Sequence, residues 1–120
     1  MAAPAADRGL IYKIVPAPLW HEAVAAGRFD GAAVDLTDGY IHLSTAAQVQ
    51  ETAARHFAGQ TELLLVAVDP AALGEALRWE PSRGGDLFPH LYQPLPLSVV
   101  RWTEPLLLGA DGRHVFPPLA

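Results

Sequence analysis

Leu63-Leu64-Leu65-Val66-Ala67-Val68 is a continuous apolar run of strand length, set between Glu62 and Asp69-Pro70. Successive side chains of a strand leave on opposite faces, so a run with no polar position has two apolar faces. Such a run suits the central strand of a sheet covered on both sides. With 120 residues, a single domain has enough chain to supply that cover without disulfides or a structural metal.

The remaining composition narrows the function classes. The hydrophobic fraction of 51% and charged fraction of 18% belong to a globular domain. Net charge is −5, and seven of the eight basic residues are Arg, with Lys13 the only lysine. No basic run exists, so generic nucleic-acid binding is not expected. The absence of Cys removes thiolate catalysis and Cys-ligated zinc. No apolar leader and no stretch of membrane-spanning length occurs, so the expectation is a soluble, untargeted, cytoplasmic protein with no membrane partner.

Residues 1–9 read as a frayed tail and residues 10–120 as one globular domain. Leu10 to Val15 predicts a strand that Pro16 stops. Pro16 and Pro18 suit the first turn of a helix carrying Leu19, Trp20, Ala23 and Val24, with Gly27 closing it. Arg28 to Asp38 reads as a loop, with Gly31, Asp35 and Asp38 as turn formers. Tyr40 to Ser44 reads as one strand, with Tyr40, His42 and Ser44 sharing a face opposite Ile41 and Leu43. Thr45 with Gln48 forms a capping-box pattern for a helix running to about Ala58, and Gly59 ends it. A short helix over Ala71 to Ala76, a strand over Leu77 to Glu80 and a flexible loop over Pro81 to Asp86 follow. Leu87 to Pro94, with two prolines, reads as irregular or a sheet edge. Val99 to Thr103 and Glu104 to Leu108 read as two strands. The order predicts an α+β domain with a mixed or antiparallel sheet and two main helices.

Two stretches could carry chemistry. The first is the strand-to-helix junction, where His42 could act as donor, acid/base or ligand contact and Ser44 and Thr45 could bind a polar or anionic group at the helix start. For Thr45 the cap alone is a complete local explanation. The second is Trp79-Glu80 with Arg83, followed by Phe88, His90 and Tyr92. A Phe-Pro-His-x-Tyr run places large rings where loops normally expose small polar groups, so His90, Glu80 and Tyr92 are read as functional. The plainer reading makes the rings packing residues and Glu80–Arg83 an exposed ion pair of small worth. His42, His90 and Glu80 could also ligate a metal, but no close ligand spacing occurs, and nucleophile-elbow, phosphate-loop and dinucleotide fingerprints are absent. His21, His56 and His114 read as surface or helix-face structural residues.

Taken together, Ile11-Tyr12-Lys13-Ile14, Trp20, Asp38 to Thr45 with Gln48, Arg78-Trp79-Glu80 and Phe88-Pro89-His90-Leu91-Tyr92 resemble the bacterial domain-of-unknown-function family numbered 952. The resemblance runs from about Ile11 to Leu106. That family is in turn similar to the ADP-ribosyltransferase-like folds, which include RNA 2′-phosphotransferases. This implies an ADP-ribosyltransferase-like domain in which residues Ile11 to Gly27 and the His42 strand frame a cleft for a nucleotide such as NAD. Those transferases carry a His or Arg on the first strand, where this chain has Tyr12 or Lys13.

The function expected is therefore a cleft protein, a transferase acting on NAD or a phosphorylated nucleotide. His42 and His90 would orient or polarise the ligand, and Glu80 would stabilise positive charge at a ribosyl carbon. Tyr12, Lys13, Tyr40, Ser44, Thr45, Trp79, Arg83, Phe88 and Tyr92 would contact it, with no metal. NAD enters as substrate, and no resident cofactor is expected. The alternatives are a non-catalytic module for a small molecule or a protein, and a His/Glu metal site. The reading requires the junction and the Glu80–Tyr92 segment to meet.

Overall fold

The computed structural model describes residues 9–119, the side chain of Arg83 excepted. The expected tail lies outside the described residues but for Gly9. The apolar run forms β5 (Leu63–Val68), which pairs antiparallel with β1 (Ile11–Pro16) on one side and with β9 (Val100–Leu108) on the other. It is the middle strand of a five-stranded sheet completed by β4 (Ser44–Thr45) beyond β1 and β10 (His114–Val115) beyond β9.

Both faces of β5 are covered, as its sequence demands. Val66 and Val68 join a core with Ile11, Val15, Trp20, Phe29, Ile41 and Leu91. Leu63, Leu65 and Ala67 join a second core with Tyr12, Ile14, Val49, Ala53 and Leu106. Each fully buried Leu or Val of this strand contributes roughly 1.5–3 kcal/mol. The first core is roofed by α1 (Ala17–Ala26), which begins on Pro16 and ends where Gly27, at φ 85°, returns its N–H to the Ala23 carbonyl at 2.8 Å. The second is roofed by α3 (Ala46–His56), which buries Val49 and Ala53. The Gln48 side chain accepts the Thr45 N–H at 3.0 Å, half of a capping box, and its amide also donates to the Leu87 carbonyl at 2.8 Å.

Several stretches differ from what their sequence suggests. Arg28 to Asp38 is not a loop: it holds β2 (Arg28–Phe29), paired with β8 (Leu95–Pro96), and the six-residue helix α2 (Ala33–Asp38). The strand through His42 breaks at Leu43 into β3 (Ile41–His42) and β4, which join different sheets. Leu87 to Leu91 is neither irregular nor an edge: as β7 (Leu87–Leu91) it is the centre of a three-stranded sheet, between β3 and β6 (Leu77–Pro81).

Pro89 is tolerated there because of the antiparallel pattern, in which a residue's N–H and C=O point to the same neighbour. The Pro89 carbonyl accepts the Leu43 N–H at 3.0 Å, so its nitrogen also faces away from β6 and the ladder to β6 loses no bond. Residues 104–108 are the second half of the nine-residue β9 rather than a separate strand. Residues 70–76 form two 3₁₀ turns, and Arg83–Gly85 form another. All strand pairs are antiparallel, so among the expected alternatives the sheets are antiparallel and the domain is α+β.

Candidate functional site

Construction of the site begins with Lys13, a charged residue inside an otherwise apolar strand. It is buried, and its ammonium lies 3.0 Å from each oxygen of the Asp35 carboxylate. Asp35 sits in the first turn of α2, where Oδ2 accepts the Ala32 N–H at 2.8 Å and anchors the helix start. Its Oδ1 also accepts the His42 backbone N–H at 3.0 Å and faces His42 Nδ1 at 2.7 Å. Burial alone would push this carboxyl up. The His42 hydrogen bond, the Lys13 charge and the two backbone N–H groups outweigh it and hold the pKa at about 2. Burial moves Lys13 down, opposed by the charge and hydrogen bond of Asp35.

His42 is clamped from both ends, since its Nε2 lies 2.9 Å from the carboxylate of Asp38 at the end of α2. Both ring nitrogens therefore face carboxylate oxygens, which fixes the orientation of the ring. Across the β3–β7 pair His42 is registered opposite His90, and the ring centroids are 5.5 Å apart. His90 Nδ1 lies 2.8 Å from Glu80 Oε1, and the Tyr92 hydroxyl donates to the same oxygen at 2.7 Å. Glu80 is held below the usual carboxylate range by the His90 hydrogen bond first and the Tyr92 bond second. Tyr92 is pushed up chiefly by that same hydrogen bond. Tyr40 stacks over the group, with centroids 4.6 Å from His42, 4.3 Å from His90 and 5.1 Å from Tyr92. Desolvation, then the Asp38 and Glu80 charges, raise the Tyr40 hydroxyl.

On their other side the two histidines line a cavity of about 460 Å³, within the size range of small-molecule sites. Its polar wall consists of Lys13, His42, His56, His90 and the hydroxyl residues Tyr12, Ser44, Thr52 and Ser82, and among the described residues it includes no Asp or Glu. Its apolar wall is formed by Ile14, Val34, Leu43, Val49, Phe57 and Phe88. The wall thus offers an ammonium, three imidazoles and four hydroxyls as hydrogen-bonding groups. The carboxylates that hold Lys13, His42 and His90 sit behind the wall.

The two sequence segments singled out for chemistry therefore meet. Of the candidate residues, Tyr12, Lys13, His42, Ser44, Phe88 and His90 line the cavity. Glu80, Tyr92 and Tyr40 lie behind His90 and His42 and position them. Ser44 bonds Thr52 at 3.0 Å, on the α3 side of the split strand. Thr45 serves the α3 cap. Trp79 pairs with Pro89 and, by strand alternation, points to the face opposite Glu80 and His90, so it offers no stacking surface here. The Arg83 side chain lies outside the described residues. Among the described residues no three His, Asp or Glu side chains are placed to hold one metal ion.

Sequence reasoning missed Asp35 and Asp38, read only as turn formers, and His56, assigned to a helix face. Lys13 is the available signal for Asp35, because a lone lysine in an apolar strand needs a buried carboxylate. His21 is exposed, and His114 Nε2 lies 2.8 Å from the Gln60 carbonyl, outside the cavity.

No helix among the described residues is long and apolar enough to cross a membrane. No curated protein matches the chain. It is similar to protein CC0527 from Caulobacter crescentus in its crystal structure, at 56% identity, with 88% of this chain and 93% of that one covered and a TM-score of 0.86. The solution NMR structure of CC0527 is 57% identical, covers 87% and 90% of the two chains, and gives 0.79. The model of a protein family of unknown function, DUF952, matches residues 14–103. The chain belongs to that family.

Proposed function

We propose that this chain is an enzyme acting on a small anionic molecule, a transferase for NAD or a phosphorylated nucleotide, with His90 as its acid–base group. The observation that carries the reading is the His90–Glu80 pair on the wall of a carboxylate-free cavity. When Nδ1 donates its proton to Glu80, the neutral ring has its lone pair on Nε2, which has no hydrogen-bond partner among the described residues. A carboxylate-oriented imidazole with one nitrogen available is the arrangement general acid–base catalysis uses. Lys13 supplies an ammonium and His56 an imidazole to meet a phosphate, and Phe57 and Phe88 supply apolar surface for a ring. The family resemblance to ADP-ribosyltransferase-like folds supports the choice of a nucleotide. His42, with both nitrogens engaged, serves as a fixed wall of the site and Glu80 as a positioning residue.

Titration of the chain with NAD and with a nucleoside monophosphate, followed by NMR, is expected to move the signals of His42, His56 and His90. No shift at millimolar ligand overturns the reading. His90→Ala is then expected to keep binding and lose turnover. The second reading, a non-catalytic binding module, is favoured by the double clamp on His42. It is the correct one if the ligand binds, no turnover occurs in the wild type, and His90→Ala only weakens binding.

A further inference from the structure

We propose that a second copy of this chain docks along β6, by antiparallel pairing of the two β6 strands about a two-fold axis at Trp79. Among the described residues β6 pairs only with β7, so its other edge is open. The direction of its backbone groups follows from two observations. Pro89, opposite Trp79, turns its carbonyl to Leu43, and the Tyr92 N–H bonds the Ala76 carbonyl three positions along the same register. Arg78 and Glu80 therefore spend their backbone groups on β7, while Trp79 directs both N–H and C=O to the open edge.

Pairing of two such edges gives a Trp79–Trp79 couple exchanging both hydrogen bonds. That register sets Arg78 of each copy opposite the partner's Glu80, on one face and at the closer spacing of a non-hydrogen-bonded pair. The sequence Arg-Trp-Glu is thus self-complementary under a two-fold, which an isologous interface requires. Edge charges ordinarily discourage pairing, but they do so by setting like charges together, and here the two-fold sets opposite charges together. On the other face the couple covers Trp79, 45% exposed, and neighbouring Leu87, 52% exposed. The charge pair also reaches the site. His90 and Tyr92 engage Oε1 of Glu80, and among the described residues none bonds Oε2, which would face the partner's Arg78.

Sedimentation of the full chain from micromolar to millimolar concentration is expected to read a dimer that dissociates on dilution. Trp79→Lys is expected to give a monomer throughout, because the change falls on the open edge and leaves the β6–β7 ladder in place. Arg78→Glu and Glu80→Arg are each expected to be monomeric, since each sets like charges opposite one another. An equimolar mixture of these two is expected to recover the dimer, because both cross-strand pairs are then of opposite sign. A wild-type monomer at millimolar concentration overturns the proposal, as does a dimer that Trp79→Lys leaves intact. A mixture of two folded variants that stays monomeric overturns the register. Should Glu80→Arg fail to fold through loss of the His90 contact, the Trp79→Lys arm decides.

Discussion

Replacing Asp35 by Asn tests whether the carboxylate, rather than the shape of the residue, holds α2, Lys13 and His42 together. Asp35 is 2% exposed and meets four donor groups: the Lys13 ammonium, the Ala32 N–H, and the backbone and ring N–H of His42. Its folded pKa of about 2, against an ordinary 3.8, corresponds to about 2.4 kcal/mol of stability at neutral pH. Because the folded value is depressed, that contribution is present above pH 4 and is lost as pH falls through about 2. The Asn variant loses more than this, since its amide turns a donor toward other donors and leaves a buried ammonium uncompensated. Breaking a buried pair in this way costs about 3–5 kcal/mol, which is roughly 10–20 °C in Tm for a domain of this size. Urea unfolding at pH 7 measures the difference directly, and at pH 2 the gap between wild type and variant is expected to shrink by about 2 kcal/mol. Adding Lys13→Met to Asp35→Asn should recover part of the loss, because the orphaned charge goes with it. A variant within 1 kcal/mol of wild type, or a gap independent of pH, refutes the argument.

Two further perturbations probe the supports of the site. Gly31 sits at φ 126°, and a Cβ there would meet the Asp35 Cβ at 2.9 Å, so Gly31→Ala is expected to cost about 1–3 kcal/mol and to shift the His42 ring signals, read by NMR. Gln48→Ala removes both the half capping box and the bond to Leu87; a loss of about 1–2 kcal/mol in urea unfolding is expected, larger than Gln50→Ala on the exposed side of the same helix.

How much was legible in the sequence follows the range over which each feature is encoded. The family resemblance could be reached from the motifs alone, whereas the meeting of the His42 and His90 segments, which the reading required, is decided by the β3–β7 pairing. The assignment of roles within those segments could not be reached from the motifs either. The sequence suggests a catalytic Glu80 and a ligand-contacting Tyr92, but a carboxylate within reach of a histidine can serve the ligand or the histidine, and only the structure shows the 2.8 Å bond to Nδ1. Trp79 was read with its neighbour Glu80, whereas strand alternation puts the two on opposite faces.

By itself the sequence determined the features governed by neighbours a few residues apart. The unbroken run Leu63–Val68 required two covered faces, Pro16 and Gly27 bounded α1, and Thr45 with Gln48 began α3. Tertiary structure alone decided whatever depends on a distant partner. Asp35 became a buried anion through Lys13, 22 positions earlier in the chain. The strand after Tyr40 was divided between two sheets because Ile41–His42 found β7 and Ser44–Thr45 found β1. Pro89 was admitted to a central strand because its missing N–H faced away from β6. Local propensity acts over a few residues, but the burial of a charge is offset only by groups that folding brings to it.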